Sequence, residues 1–372
     1  MVAGGADFEG SNMHSVMERQ MRKVVPGLVG VGARAGRWVA RRQRERDSRA
    51  MAVRLQRSMM ESGRGADISP SERKAIQRHS LKKFGSARFA EWLITYAMHR
   101  DEFHVGWVPS EYFRWHMLHA INPPEVTTLS NIKTLSSTLL GHENVPDVAF
   151  FVGGSWFDRD RKPCDYKRIL SVFEEYDHVY VKADYLDQGR GVFRLDEAGF
   201  RSFFSSPLQR DYVVQYPVSQ HADIEVICPS AVSTLRLLTL KVSCGAPRVI
   251  GAQMKFGQGN ANYLSVEGNQ LKSAVDLHSG CLGAAAYDQN WRQHYVHPDT
   301  GVTFSGLSVP AFSEAKILCL ELHSKVPHFG YIGWDIVVDA GSKLHLLEWN
   351  SVFPAFAFLE AHQGPMVSDM VI

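Results

Sequence analysis

Cysteine is scarce and unpaired in this chain of 372 residues. The five cysteines stand at 164, 228, 244, 281 and 319, an odd number with no CxxC. That pattern argues against a disulfide framework or a zinc site and fits reduced thiols in a cytoplasmic protein. Long apolar runs are missing as well: none reaches the roughly 20 residues a membrane-spanning helix needs. Residues 24–33 follow Arg22 and Lys23 as a signal-peptide core would, but Pro26 interrupts them and Arg37 comes soon after, so neither export nor a membrane partner is expected. One-sided charge is lacking too. The net charge of +2 gives no whole-protein basic field for nucleic acid. There is no internal repeat, and no Ser-His-Asp or thiol nucleophile has a convincing spacing.

What the chain does have is 45% hydrophobic residues, enough for one large core or several sub-domains. Residues 1 to about 20 are rich in Gly, Met and polar side chains, a composition that favours disorder. Residues 34–57 are arginine-rich and read as a basic, solvated helix, so 1–66 is expected to be an extension. Helical patterns follow at 71–84, 87–98 and 130–140, with Ser69 or Ser71 as the first cap. These make 67–147 a helical region, and its aromatic cluster at 103–115 is expected in a core. From 148 the texture turns to short β-rich runs: 148–152, 178–183, 191–195, 212–216, 233–243, 248–254, 331–339 and 344–349. Helical stretches at 166–176 and 313–325 lie between them. The class expected is α+β, with sub-domains at 148–216 and 217–372 and a helical N-terminal region.

Three motifs carry chemistry. The first is Gly333-Trp-Asp-Ile-Val-Val-Asp-Ala-Gly-Ser-Lys-Leu-His-Leu-Leu-Glu-Trp-Asn350. A turn near 340–343 sets Asp335 opposite Glu348, with Asn350 on the same face and Leu346 and Val337 beneath. Two carboxylates and an amide oxygen make a hard site that suits magnesium, and a solvated hairpin is the alternative. The second is a strand carrying Lys182, followed by the loop Asp187-Gln188-Gly189-Arg190-Gly191. Glycines there let backbone amides approach phosphate oxygens, and Lys182 supplies a point charge. An ordinary hairpin turn has the same composition. The third is Arg236, which interrupts the apolar strand Ser233-Thr-Leu-Arg-Leu-Leu-Thr-Leu240 and so must meet an anion, from a ligand or from the protein. The turn Asp158-Arg-Asp-Arg161 is expected to be solvated, and His294 and His297 are expected to flank a loop over the substrate.

Lysine strand and glycine loop, then arginine strand, then D…ExN is an order that resembles the ATP-grasp superfamily. The segments Gln220-His221 with Pro229-Ser-Ala-Val-Ser-Thr-Leu-Arg236, His297-Pro-Asp-Thr-Gly301 with Gly306-Leu-Ser-Val-Pro310, Gly333-Trp-Asp-Ile336 and Glu348-Trp-Asn350 look like its sugar-transfer-associated branch, related to α-L-glutamate ligases. The resemblance implies an ATP-grasp fold, with two α+β sub-domains gripping ATP. It implies that Lys182 binds phosphate, that Asp187, Gln188, Gly189, Arg190 and Gly191 cover the triphosphate, and that Lys133 reaches the nucleotide from the preceding region. Val213, Val214, Gln215 and Tyr216 would form the hinge beside adenine, with Gln215 where many relatives carry an acidic residue. Arg236 and Lys255 would face the transferred phosphoryl group, and Asp335, Glu348 and Asn350 would hold Mg²⁺. Asn262 fits a polar position of the branch. The reaction implied is ATP-dependent carboxylate–amine ligation through an acyl-phosphate, on small-molecule substrates in the cytoplasm. A small-molecule kinase on the same fold, or a nucleotide-binding regulator without turnover, are the rivals.

Overall fold

The computed structural model describes residues 31–186, 190–206, 210–242, 245–259, 261, 264, 268–352 and 354–370, with side chains from 42 onward. The expected disorder of residues 1 to about 20, Asp187, Gln188, Gly189, Cys244 and Asn262 lie outside the described residues. The chain divides into two units, residues 1–48 and 49–372. The first contains the start of a long helix, Val31–Glu61, with an i,i+4 hydrogen bond from Gln43 to Asp47.

The second unit opens on the last turns of that helix, and here the expected solvated extension is corrected. Ala52, Leu55 and Met59 are buried in a core shared with Trp92, Tyr96, Trp107 and Leu359. Gln56 donates to the Glu91 carbonyl and to Thr95 Oγ1. The helix Pro70–Phe84 starts at Ser69, whose hydroxyl accepts from Glu72 N while Glu72 bonds back to Ser69 N, a capping box with proline in the first turn. Gly85 ends it in the left-handed conformation. The helix Ala90–Arg100 is buried along nearly its whole length. The aromatic cluster 103–115 is core, as its composition predicted: Trp107, Phe113 and Trp115 are buried.

Twelve strands follow among the described residues. β1 (Asp147–Val152), β2 (Ser155–Asp158), β3 (Val179–Ala183), β4 (Val192–Leu195) and β5 (Tyr212–Gln215) form one sheet in the order β2-β1-β5-β3-β4. β6 (Thr234–Leu240), β7 (Arg248–Gly257), β8 (Gln270–Ala274), β9 (Ala286–Tyr287), β10 (Gln293–His294), β11 (Tyr331–Val338) and β12 (Leu344–Asn350) form the other, ordered β10-β9-β8-β7-β6-β11-β12. The helix Phe312–Lys325 covers one face of this second sheet, packing with Leu235, Leu237, Trp334 and Ile336. The other face, through Leu238, Leu240 and Tyr331, packs on the N-terminal helices and on the helix Ala357–Gln363. Both sheets and the segregated helices give the α+β class expected.

Two local departures bear on the site. The predicted helix 130–140 is broken into Thr128–Asn131, Lys133–Leu135 and Ser136–Leu140. Its backbone is bonded to the β3–β4 loop instead: Thr134 N and Oγ1 donate to Asp184, and Tyr185 N donates to Asn131 O. The turn 158–161 is solvated only in part, with Arg159 and Asp160 exposed. Asp158 is buried and pairs with Arg168 at 2.9 Å, while Arg161 lies over the Phe150 ring and donates to the Thr134 carbonyl. A buried asparagine fixes the hairpin below. Asn122 donates to Tyr331 O and Ser351 O and accepts from Gly330 N and Tyr331 N, so all four of its hydrogen-bonding positions are used.

Candidate functional site

In the β11–β12 hairpin, Asp335 pairs with Glu348, Trp334 with Trp349 and Gly333 with Asn350, the register the turn predicted. A bulge then shifts the ladder, so Ile336 pairs with Leu346 and Leu347 is the extra residue. That corrects one expectation. Leu346 lies with Ile336 and Trp334 in the core beneath the opposite face, not under the carboxylates.

Register carries the face across the sheet. Asp335 pairs with Arg236, Thr234 with Lys255, Lys255 with Lys272, and Lys272 with Tyr287. Side chains directly opposite in an antiparallel pair share a face. Arg236, Lys255 and Lys272 thus form a cationic row beside Asp335. Arg236 Nε and Nη2 reach the two Asp335 oxygens at 2.6 and 2.5 Å, and Lys255 Nζ reaches Oδ1 at 2.6 Å. Burial alone would raise the Asp335 pKa, but the two cations outweigh it and hold the carboxyl well below its usual range. Burial and the neighbouring Arg236 push Lys255 and Lys272 down to about 8. Gly333 is the residue this packing requires: an added Cβ would stand 3.2 Å from Arg236 Nη1.

The first sheet brings a second group of cations. Lys182, on β3, donates to the Leu347 carbonyl at 3.2 Å, so the bulge residue is its anchor. Lys133 donates to Leu186 O at 2.5 Å and stands 3.8 Å from Glu348 Oε1. Burial lowers the Lys182 pKa, with Glu348 opposing. Gly191 lets this loop pack: a Cβ there would meet Leu186 at 2.7 Å. Arg190, beside it, has a partner of its own. Sequence reasoning therefore brings together Lys133, Lys182, Arg236, Lys255, Asp335 and Glu348, with Asn350 on the same strand face.

It placed the hinge less well. Val213 and Val214 are buried on the central strand β5, paired with β1 on one side and β3 on the other. Their backbone groups belong to the ladder and cannot serve an adenine edge. Gln215 turns to Asp147 of β1, its Nε2 2.8 Å from Oδ1, while Asp147 Oδ2 is buried without a partner. Position 215 thus has a carboxylate beside it on the neighbouring strand. Burial raises its pKa despite that bond. Tyr216 stacks on Tyr176 and donates its N–H to Pro146 O. His297 is buried, with Nε2 2.7 Å from Gly257 O, which makes it a clasp on the end of β7.

Asp147 and Lys272 escaped the sequence reading. Asp147 had a weak signal in the Asn144-Val-Pro-Asp147 break, and Lys272 one in its position between the apolar Leu271 and the small Ser273. Only strand pairing shows what either faces.

The donor set can be tested against magnesium. Among the described residues no three His, Cys, Asp or Glu side chains converge, so any third protein donor must be an amide. Asn350 qualifies by position: it lies on the Glu348 face, and its amide oxygen is the atom a cation would take. Glu348 is partly open, at 29% exposure. Two carboxylates and an amide are the hard-oxygen set that suits magnesium. The residues fit on one condition, that Asp335 loosens its hold on Arg236 or Lys255.

The same region of sequence matches a known family. Residues 197–368 fit the profile of sugar-transfer associated ATP-grasp proteins. Residues 197–368 are thus similar to ATP-grasp proteins of this kind. The matched part of the chain holds Arg236, Lys255, Lys272, Asp335, Glu348 and Asn350, and Lys133 and Lys182 precede it. No curated protein matches the chain. Solved structures similar to it include the VanG D-Ala:D-Ser ligase of Enterococcus faecalis, at 10% identity over 61% of this chain and 53% of that one, TM-score 0.37. The D-alanine–D-alanine ligase of Coxiella burnetii is similar at 13% identity over 66% and 58%, TM-score 0.37. The ATP-grasp ligase PsnB, complexed with minimal precursor, is similar at 12% identity over 80% and 74%, TM-score 0.38. The chain spans between about half and three fifths of the length of the first two. No helix is long and apolar enough to cross a membrane among the described residues.

Proposed function

We propose that this protein is an ATP-dependent carboxylate–amine ligase that works through an acyl-phosphate. The observation that carries the reading is the charge of the face between the two sheets. Five cations, Lys133, Lys182, Arg236, Lys255 and Lys272, converge there on two carboxylates, Asp335 and Glu348. Positive charge gathered there, with Lys133, Arg236 and Lys255 buried and Lys182 and Lys272 half-buried, suits anions, and a triphosphate supplies them.

Lys182 and Lys133 bind phosphate oxygens of the substrate ATP, with the loop ending at Gly191 above them. Asp147 and Gln215 border the adenine side. Arg236 and Lys255 offset the charge on the phosphoryl group as it passes to a substrate carboxylate oxygen and its bond to ADP breaks. An amine nitrogen then bonds to the carbonyl carbon, loses a proton, and phosphate leaves. Glu348, Asn350 and Asp335 would hold magnesium, which supplies further charge neutralisation when bound. Lys272, next to Lys255 in the row, would meet the substrate carboxylate.

Hydroxylamine intercepts acyl-phosphates, which gives the test. A pool of small carboxylates incubated with the protein, MgATP and hydroxylamine should yield ADP, free phosphate and a hydroxamate identifiable by mass. With Arg236→Ala, turnover should fall on the order of 10²-fold while ATP affinity changes less. A stable phosphorylated product without free phosphate would replace the ligase with a kinase.

A further inference from the structure

Two helices of the larger unit turn an unpaired cationic face to solvent. The last turns of Val31–Glu61 and the helix Pro70–Phe84 both pack on the helix Ala90–Arg100, and they meet at one side chain of it. Gln56 Nε2 lies 3.1 Å from Glu91 Oε2, and Arg73 Nη1 lies 3.6 Å from the same oxygen. The two helices therefore flank Glu91, and the faces they turn away from the core lie side by side.

Helical spacing fixes what those faces carry. Val53, Arg57 and Met60 run at i, i+4 and i+7, and Val53 and Met60 are the surface neighbours of Gln56 on that helix. Lys74, Arg78, Leu81 and Lys82 repeat the spacing on the second helix, opposite its buried side of Ile76, Ser80 and Phe84. All seven are exposed, Met60 by 61%, Leu81 by 56% and Val53 by 40%. Arg57, Lys74, Arg78 and Lys82 have no hydrogen-bond or ion-pair partner among the described residues. From residue 49 on, these two helices hold only Glu61 and Glu72 as acids. Glu61 ends its helix, and Glu72 folds back on Ser69. Four cations left without counter-charge are complementary to a surface of anions.

The rest of the face decides which anions. Val53, Met60 and Leu81 gain nothing beside a sugar–phosphate chain, and no exposed residue of the two helices from 49 on is aromatic and able to stack on a base. Cations interleaved with exposed aliphatic side chains suit an anionic lipid surface, where headgroups meet the charges and the aliphatic tips enter the acyl boundary. We propose that this face, with Arg57, Lys74, Arg78 and Lys82 as its cations, docks the protein on an anionic phospholipid surface. The contact is peripheral, since no described helix is long and apolar enough to cross a membrane. It departs from the expectation of no membrane partner, which the missing apolar runs supported for a span and not for a surface contact. The assignment is independent of the ligase reading.

Flotation of the full chain tests it, with vesicles of phosphatidylcholine alone or with about 30% phosphatidylserine, at ~0.1 M salt. Binding should be confined to the phosphatidylserine vesicles and should fall steeply at ~0.5 M salt. Lys74→Glu combined with Arg78→Glu and Lys82→Glu, all at exposed positions, should weaken binding about 10²-fold with the melting temperature unchanged. Met60→Ser combined with Leu81→Ser should weaken it several-fold and leave its salt dependence as it was, because insertion is lost and charge is kept. Absence of binding, equal binding to both kinds of vesicle, or full binding by the charge-reversed variant would each overturn the proposal. If the Met60→Ser, Leu81→Ser variant binds vesicles as well as the parent does, and oligouridylate binds as tightly as the vesicles, the partner is a nucleic acid instead.

Discussion

Asp335 and Glu348 stand directly opposite each other, yet their surroundings give them different work. Asp335 is buried under two cations, whereas Glu348 is partly open and has Lys133 only at 3.8 Å. Glu348→Gln should therefore leave stability within about 0.5 kcal/mol and lower ATP turnover by roughly 10²–10³. Asp335→Asn leaves Arg236 and Lys255 buried with no counter-ion, which should cost on the order of 3–5 kcal/mol. Urea melts of the two variants decide it, and equal losses of stability would mean that the Arg236–Lys255–Asp335 cluster is not the anchor described. Lys272 makes a pH prediction. Its folded pKa is about 8, below the ordinary 10.5 of the unfolded chain. Between those values the unfolded state holds the proton that the folded state lacks, so this group's contribution to stability is full above 10.5 and is lost as pH falls to about 8. Anion binding runs the other way, because only the protonated amine attracts phosphate. Phosphate affinity should fall as pH rises through 8, and that fall should shrink in Lys272→Met. An identical pH profile in the variant would remove Lys272 from the anion site.

Elements were legible in the sequence where one local signal decided them. The β11–β12 register followed from the turn near 340–343, and the helix start at Ser69 from its cap. The bulge at Leu347 was not legible, because nothing local marks it; its consequence appears only across the sheets, where Lys182 bonds to the Leu347 carbonyl. Asp147 was missed for a like reason, since its partner Gln215 is distant in sequence and adjacent only through β1–β5 pairing. The break in helix 130–140 is tertiary as well: Asp184 and Tyr185 take backbone and side-chain bonds that a regular helix would have to forgo. The helix Val31–Glu61 did carry a signal, in the helical spacing of Ala52, Leu55 and Met59, though its arginines dominate the composition. A chain beginning at Ile68 loses all three from the core, together with Gln56. Truncating one such Leu or Met to Ala already costs about 2–5 kcal/mol, so the shortened chain should be insoluble or melt without cooperativity. A cooperative melt within a few degrees of the full chain would show that the helix is dispensable.

At the scale of the whole molecule, the contact between the two sheets is the decisive feature. Between Lys133, Lys182, Gln215, Leu347 and Glu348 the gap is only about 10 Å³, room for about one water molecule. Several contacts hold the walls together: Lys182 to Leu347 O, Lys133 to Glu348, Trp349 Nε1 to Ser136 Oγ at 3.2 Å, and Leu346 N to Asn144 O at 2.6 Å. None is strong alone, since each single bond contributes about 0.5–1.5 kcal/mol net, so the walls can part at modest cost. A phosphate group that enters between Lys133, Lys182 and Glu348 must wait for that parting. Association should therefore saturate. As MgATP is raised in a stopped-flow experiment, the observed rate should level off at the opening rate, within the μs–ms range of domain motions. Ser136→Ala removes one wall contact without touching a cation, and should raise the plateau while leaving the phosphate affinity of the cationic row unchanged. A rate that climbs linearly with MgATP, with no plateau and no response to Ser136→Ala, would mean that the cleft is open in solution and that these contacts do not gate it.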